Sequence, residues 1–414
     1  MNSLPHEIVG AIYELLDTKE IALLRLVSNH YCQIASGFLM SEIHLILKPE
    51  SFSRLVAISN HPIISQQITS ILYEPDALNL LDRRTWEVSL PSRSQRTMKE
   101  LDKGWMHYQR LCNIQQDLIH GGWATRQFRE ALTNLPKMRS FRMSIGEGFM
   151  IRSEYLRNSF REGLLQAYNH DPALLAGDLQ LRSAMSSFYD AGIKLQVFEC
   201  GEVSRMLFCC SEVDFKVYAE TLSHVRTFKL LLNTEANDTG NEDVDYAPES
   251  SRDSKNGRLG DLISQANDLE HLDFRFDWWS VHDPIELSSL IGSHTWPRLT
   301  SVTLAMIKTG EEELLRFLCR HKRTLRKLHL DSISLNLGSW LSLVPQMRSL
   351  LHLKELRLEG TLTSEGHIFD LSYLEGAEYS PDDEVPIPGR QKALEDWFQY
   401  GGYCPLTDEW AEIG

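Results

Sequence analysis

A weak internal repeat constrains this chain more than any other feature. The pattern apolar-x-x-apolar-x-apolar recurs at Leu269-Leu272-Phe274, Leu299-Val302-Leu304, Leu325-Leu328-Leu330 and Leu353-Leu356-Leu358, and the copies begin 30, 26 and 28 residues apart. The last two apolar residues of each copy stand two positions apart, so they share one face of a strand. Helix-like stretches lie between the copies, as in Glu312–His321 with Leu314, Leu315, Phe317 and Leu318. Strand and helix alternating in one direction build a parallel sheet backed by helices. A single repeat cannot bury its own apolar face, so the copies must stack. Fainter copies begin at Ile68, Met138, Leu195 and Val225, with irregular gaps.

The period and pattern resemble those of leucine-rich repeats. In that family an Asn or Cys stands three residues after the last apolar position. Here only Asn233 fits, and Asp277, Ile307, Ile333 and Thr361 occupy the place elsewhere. A hydrogen-bonded asparagine ladder is therefore missing, and the expectation is an α/β solenoid with an irregular, locally broken curve.

The first forty residues read as three short helices, Leu4–Leu16, Lys19–Val27 and Asn29–Met40. Leu4, Ile8, Ile12, Leu15 and Leu16 repeat at helical spacing, with Pro5 in the first turn, where its missing N–H costs nothing. Asp17 and Glu20 stand three apart like a capping box before the second helix, whose face is Ile21, Leu24 and Val27. Ser28 can cap the third, whose apolar side is Tyr31, Ile34, Ala35 and Phe38. Helices this short cannot bury all that surface among themselves, and Val9, Leu23 and Leu26 lie off the main faces. The surplus must pack on the rest of the chain or on a partner.

The order Leu-Pro-x-Glu-Ile, Leu-Leu-Asp, Leu-x-x-Val-Ser resembles an F-box, with Leu4, Pro5, Glu7, Ile8, Ile12, Leu15, Leu16, Ile21, Leu24, Val27 and Tyr31 as the matching residues. Tyr31 stands where the family often has Trp. With the Asn-His-Pro turn at 60–62 and the helical stretch at 95–135, the layout is similar to that of fungal F-box proteins with degenerate leucine-rich repeats. This resemblance implies docking onto a Skp-type adaptor, and through it a cullin, by Leu4, Pro5, Ile8, Ile12, Leu16, Leu24, Val27 and Tyr31. On periodicity alone the same helices also suit an ordinary cap on a larger core.

At 414 residues the chain is too long for one ordinary core. Its net charge of −15 argues against nucleic acid and against anionic membranes as partners. No stretch approaches the ~20 apolar residues of a membrane span, and the N-terminus has no basic-then-apolar signal segment. The cysteines Cys32, Cys112, Cys200, Cys209, Cys210, Cys319 and Cys404 are odd in number and scattered, as reduced thiols of a cytoplasmic or nuclear protein would be. The acceptor sequence Asn237-Asp238-Thr239 should then stay unglycosylated.

The expected domains are a three-helix F-box at 1–42, the irregular repeat domain at 43–379, and a linker with a capping helix at 380–414. Within the second, Ile43–Leu47, Phe52–Ile58 and Ile68–Tyr73 read as strand, helix and strand. Trp105, Tyr108, Leu111, Leu118, Phe128 and Leu132 mark the helical stretch at 95–135. Residues 233–257 are polar and acidic, a composition that cannot offset ordering entropy, and are expected to be a disordered insertion. Pro381, Pro386 and Pro388 mark the linker. Ala393, Leu394, Trp397 and Phe398 mark a final helix, stopped by Gly401-Gly402, that would cover the last strand's edge.

No phosphate-loop glycine pattern and no paired metal-ligand spacing occur, so no enzyme activity, cofactor or metal is expected. Cys209-Cys210 and His224 are the nearest approach to a nucleophile and base, but Met206-Leu207-Phe208 suggest an inert buried segment. Lys229, Asp273, Arg275, Thr303, His329, Asp331, Arg357 and Glu359 alternate with the repeat's apolar positions and should point away from the helices. This is either a solvated face or a recognition surface. As the latter, Arg275, Trp279, His329, Asp331, Arg357 and Glu359 are the candidate contacts for an unknown target protein, with Trp279 as a possible aromatic anchor. The resemblance implies a substrate receptor of a ubiquitin ligase. The competing reading is a repeat scaffold that acts outside one.

Overall fold

The structure is a computed structural model that describes residues 6–13, 15–75, 77–78, 80–90, 97–144, 173–204, 208, 210–233, 258–276, 285–365, 367–371 and 390–407. The chain divides into two compact units, Met1–Val203 and Ser204–Gly414. The expected repeat domain is thus split, and the N-terminal helices belong to the first unit. Of residues 233–257, expected to form the insertion, Asn233 ends a strand and 234–257 lie outside the described residues, as does the linker at 380–389.

The first unit opens with three short helices, α1 (His6–Tyr13), α2 (Thr18–Leu24) and α3 (Asn29–Ser36). It continues through β1 (Glu42–Ile46), α4 (Pro49–Ser59), β2 (Ser70–Glu74), α5 (Arg83–Ser89), α6 (Met98–His120), α7 (Trp123–Thr133), β3 (Ser140–Met143), α8 (Ala173–Asp190) and β4 (Val197–Ser204). The four strands pair in parallel in chain order. Helix α4 packs on α7, and α7 on α8. The sheet and this helix layer meet through Phe128, Phe141 and Phe188, whose ring centroids lie 5.1–6.4 Å apart. A second cluster gathers Trp86 from α5 with Leu101, Tyr108 and Cys112 from α6. Between strands far apart in sequence, Glu42 on β1 pairs with Arg142 on β3 and accepts from the Ser70 hydroxyl at 2.8 Å. Burial raises the Glu42 carboxyl's pKa, but these two partners outweigh it and hold the group below its ordinary value.

The second unit runs α9 (Glu212–Leu222), β5 (Thr227–Asn233), α10 (Leu259–Ser264), β6 (His271–Phe276), β7 (Ile285–Glu286), α11 (Leu287–Ile291), β8 (Ser301–Ala305), β9 (Ile307–Gly310) and α12 (Glu311–Arg320). It ends with β10 (Lys327–Asp331), β11 (Ser334–Leu337), α13 (Trp340–Leu350), β12 (Glu355–Glu359), β13 (Thr361–Ser364), β14 (His367–Asp370) and α14 (Arg390–Tyr400). Strands β5, β6, β8, β10 and β12 form an open parallel series. Their paired apolar positions, such as Leu272, Phe274, Val302, Leu304, Leu328 and Leu330, are all buried.

Both units repeat one backbone device. At the start of each strand a single carbonyl accepts two successive N–H groups from the next repeat. Ser41 accepts from Thr69 and Ser70, Thr69 from Arg139 and Ser140, and Arg139 from Gln196 and Val197. In the second unit Arg226 accepts from Glu270 and His271, Glu270 from Thr300 and Ser301, Thr300 from Arg326 and Lys327, and Arg326 from Lys354 and Glu355. The faint copies at Ile68, Met138, Leu195 and Val225 therefore lead into parallel strands β2, β3, β4 and β5.

The missing asparagine ladder is replaced by a corner. Two residues after the last apolar position, the chain turns left-handed, at Met306 (φ 58°), Ser332 (φ 52°) and Gly360 (φ 65°). Met306 and Ser332 donate their N–H groups to Asp331 and Glu359, each at 3.0 Å. The turn sends the chain into a second small sheet, β7, β9, β11 and β13 with β14 antiparallel at its edge. Ile307 and Ile333, standing where asparagine was expected, are buried after these corners. A left-handed residue other than Gly or Asn costs energy. At Gly360 a Cβ would also come within 2.0 Å of the Ser332 hydroxyl, so this corner requires glycine.

The last helix ends at two left-handed glycines, Gly401 and Gly402, and packs along β12, the final strand of its series. Arg348 of α13 donates to the Phe398 carbonyl at 3.2 Å and lies over the Trp397 ring. The bare edge is thereby covered, as expected for a capping helix.

A buried histidine gives this unit a defined pH response. His321 is 2% exposed and accepts the Trp296 N–H on Nε2 at 3.0 Å, while Nδ1 lies 3.0 Å from the Phe317 carbonyl. Burial lowers its pKa below 6.5, and the Phe317 carbonyl does not restore it. Well above 6.5 the ring is neutral in folded and unfolded chains alike. As pH falls below that value the unfolded chain gains a proton first, so stability drops until the folded value is passed. His321→Gln, whose amide can make both contacts, should show a shallower loss of Tm between about pH 7.5 and 5. An unchanged slope would assign the pH response to other groups.

Candidate functional site

Two surfaces carry the residues expected to act. The first is the N-terminal three-helix module. Its core is Val9, Tyr13, Ile21, Tyr31 and Ala35, with Leu16, Leu24, Ile34, Phe38 and Leu39 partly buried against it. The Tyr13 and Phe38 rings lie 5.7 Å apart. The Asp17–Glu20 capping box forms in full, and the Ser28 side chain caps α3 at the Tyr31 N–H.

The module turns its other side outward. Ile8 is 50% exposed, Leu15 86%, Leu23 67%, Leu26 83% and Val27 64%, with Ile12 also exposed. Six of the sixteen exposed large apolar side chains among the described residues thus fall within residues 8–27. Single exposed apolar residues need no explanation, whereas six within twenty residues are what a contact surface would supply.

This arrangement corrects the assignment of faces. Tyr31 is 8% exposed and belongs to the module's own core, and Leu16 and Leu24 lean on that core. Tyr31 is thus inside the module, while Leu16 and Leu24 remain partly exposed. Val9, expected to lie off the main face, is buried, whereas Ile8, Ile12 and Leu15 are not. Both sides of α1 are apolar, so periodicity could not choose between them. The helices are also shorter than expected, ending at Tyr13, Leu24 and Ser36. Leu4 and Pro5 lie outside the described residues.

The second surface is the polar face of the strand series in the second unit. Register places Asp273, Thr303, His329 and Arg357 in one row, and Arg275, Ala305, Asp331 and Glu359 in the next. The charges are closely matched. Asp273 takes Arg275 at 2.8 Å and Lys229 at 4.0 Å. Glu359 takes His329 at 2.7 Å on Oε2, and Arg357 and the Gln391 amide on Oε1. Burial alone would lower the Arg275 pKa. The Asp273 bonds and the fields of Asp331 and Glu359 reverse this, so the guanidinium stays charged. The structure therefore brings Arg275, His329, Asp331, Arg357 and Glu359 onto one face. Trp279 lies outside the described residues.

His329, Asp331 and Glu359 each offer one ligating atom, and these atoms all lie within 4.8 Å of one another. The sequence carried this only as His-x-Asp, with Glu359 one repeat later at the position of Asp331. Among the other candidates, Cys209 lies outside the described residues, Cys210 is partly exposed, and His224 faces Asp268 at 3.4 Å. Among the described residues no helix is long and apolar enough to cross a membrane.

No known family model matches the chain, and no curated protein gives a significant match.

Proposed function

We propose that this chain is the substrate-recognition subunit of a Skp–cullin–F-box type ubiquitin ligase, acting in the cytoplasm or nucleus. The N-terminal helices dock the adaptor, and the strand face of the repeats takes a target protein. The observation that carries this reading is the division of labour inside residues 6–40. Val9, Tyr13, Ile21, Tyr31 and Ala35 satisfy the module's own core, while Ile8, Ile12, Leu15, Leu23, Leu26 and Val27 are left over and exposed. The residues before them, Leu4-Pro5-His6-Glu7, complete the F-box-like order. In this reading the chain does no chemistry, and the ubiquitin-transferring activity belongs to its partners.

The repeat face suits target recognition because its mixed charge favours specificity over raw affinity: a wrong partner meets like charges. Arg275, His329, Asp331, Arg357 and Glu359 are the contacts assigned to it, with Trp279 as the anchor.

The test uses purified Skp-type adaptor, the full chain, and a chain lacking residues 1–40. Stable co-purification by the full chain alone, with proximity-labelled neighbours that depend on Arg357 and Trp279, is the expected outcome. A full chain that fails to hold the adaptor would leave the repeat scaffold as the function.

A further inference from the structure

We infer that His329, Asp331 and Glu359 form a binding site for one divalent cation of the zinc type on the strand face of the second unit. The inference does not rest on the ubiquitin-ligase reading and is tested on the chain alone.

The geometry comes from register. His329 and Asp331 are two apart on β10, so their side chains leave the same face. Glu359 on β12 pairs directly with Asp331, bringing the third group alongside. The three ligating atoms lie within 4.8 Å, and His329 Nε2 is 2.7 Å from Glu359 Oε2. Around a four-coordinate zinc, ligand atoms at about 2.0–2.2 Å from the metal stand roughly 3.3 Å from one another. Side-chain movements of about an ångström therefore close the set around an ion, with the strands held in place by their ladder.

The carboxylates are also supported from behind. Glu359 Oε1 is held by Arg357 and by Gln391 of α14, which leaves Oε2 for the ion. The Oδ1 atom of Asp331 accepts the Ser332 hydroxyl at 2.9 Å, which helps to orient its carboxylate. Such outer partners fix the orientation of ligating groups and tune a metal centre. His329 and Glu359 side chains are 19% and 22% exposed, half-buried but open to an entering ion. To ligate through Nε2 the neutral ring must be the tautomer with its proton on Nδ1, and the Nε2–Glu359 contact gives way to the ion.

One imidazole and two carboxylates suit zinc and its neighbours better than magnesium or calcium, which take oxygen ligands almost alone. Three protein ligands would leave a fourth position for water or for a group of an arriving molecule. The arginines nearby do not already fill the site. Arg275 is held bidentately by Asp273, and Arg357 sits on the outer oxygen of Glu359.

Isothermal titration of the purified full chain with Zn²⁺ alone tests this, alongside His329→Gln, Glu359→Gln and the control Glu355→Gln. Glu355 lies on the same strand and face but pairs with Lys327, so its loss removes the same charge without removing a ligand. Expected are one saturable equivalent, a loss of at least about tenfold in affinity for each ligand variant, and no change for Glu355→Gln. Co²⁺ provides a second measurement: a paramagnetically shifted imidazole signal present in the wild type and absent in His329→Gln. No saturable binding, or an equal loss in Glu355→Gln and Glu359→Gln, would overturn the site. So would a Co²⁺ complex of the wild type without the imidazole signal, whether or not the variants fold.

Discussion

Replacing Ile8 and Leu15 together by alanine should, on the proposed docking, weaken adaptor binding by about a hundredfold or more. Burying one large aliphatic side chain against a partner contributes roughly 1.5–3 kcal/mol, and ~1.4 kcal/mol is a factor of ten. Because both residues are exposed in the free chain, at 50% and 86%, the change leaves the module's own packing intact. Tm should move by no more than exposed substitutions usually allow, on the order of 0.5 kcal/mol in stability. Tyr31→Ala behaves in the opposite way. Its ring is in the module core, so the substitution should unfold residues 6–40 and, on the proposed docking, lose the adaptor as a consequence. Titration of purified adaptor, with circular dichroism on each variant, separates the two routes. Wild-type affinity in the double variant would show that the exposed side of α1 does not meet the adaptor. The double variant then isolates the module's surface, and Tyr31→Ala its core.

The repeat was legible because Leu-x-x-Leu-x-Leu ties burial to a period of two within strands and to about 28 residues between them. Even the faint copies at Ile68 and Met138 kept the apolar residue that leads into the strand, buried in both cases. The second sheet was not legible. Its corners fall on Met306 and Ser332, residue types that give no sign of a left-handed backbone, and only Gly360 carries one. The face of α1 was ambiguous for another reason. Ile8, Ile12 and Leu15 keep the same helical spacing as Val9, Tyr13 and Leu16, and only contact with α3 decides which set is inside. Pairs such as Glu42 with Arg142 lie a hundred residues apart and follow from strand order alone. The His329, Asp331 and Glu359 group has the same origin: two of its members are visible as neighbours, while the third is placed by the register between β10 and β12.

Trp340→Ala has the second large effect, and it should be local. Trp340 is 0% exposed at the start of α13, and its indole N–H donates to the Thr363 carbonyl of β13 at 3.0 Å. Truncating a buried tryptophan costs about 3–5 kcal/mol, and here it also removes the partner of a backbone carbonyl. Helix α13 in turn carries Arg348, which holds the Phe398 carbonyl and the Trp397 ring of the capping helix. In stacked repeats stability is a sum over units and their nearest interfaces, so the loss enters at the C-terminal end. Amide hydrogens of β10 through β14 and α14 should exchange faster by about a hundredfold or more, at ~1.4 kcal/mol per tenfold. Those of β1 through β4 should keep their protection. Equal acceleration in both sets would mean that the two units open as one cooperative body. An unchanged rate in β13 would mean that the indole at Trp340 does not bear on the second sheet.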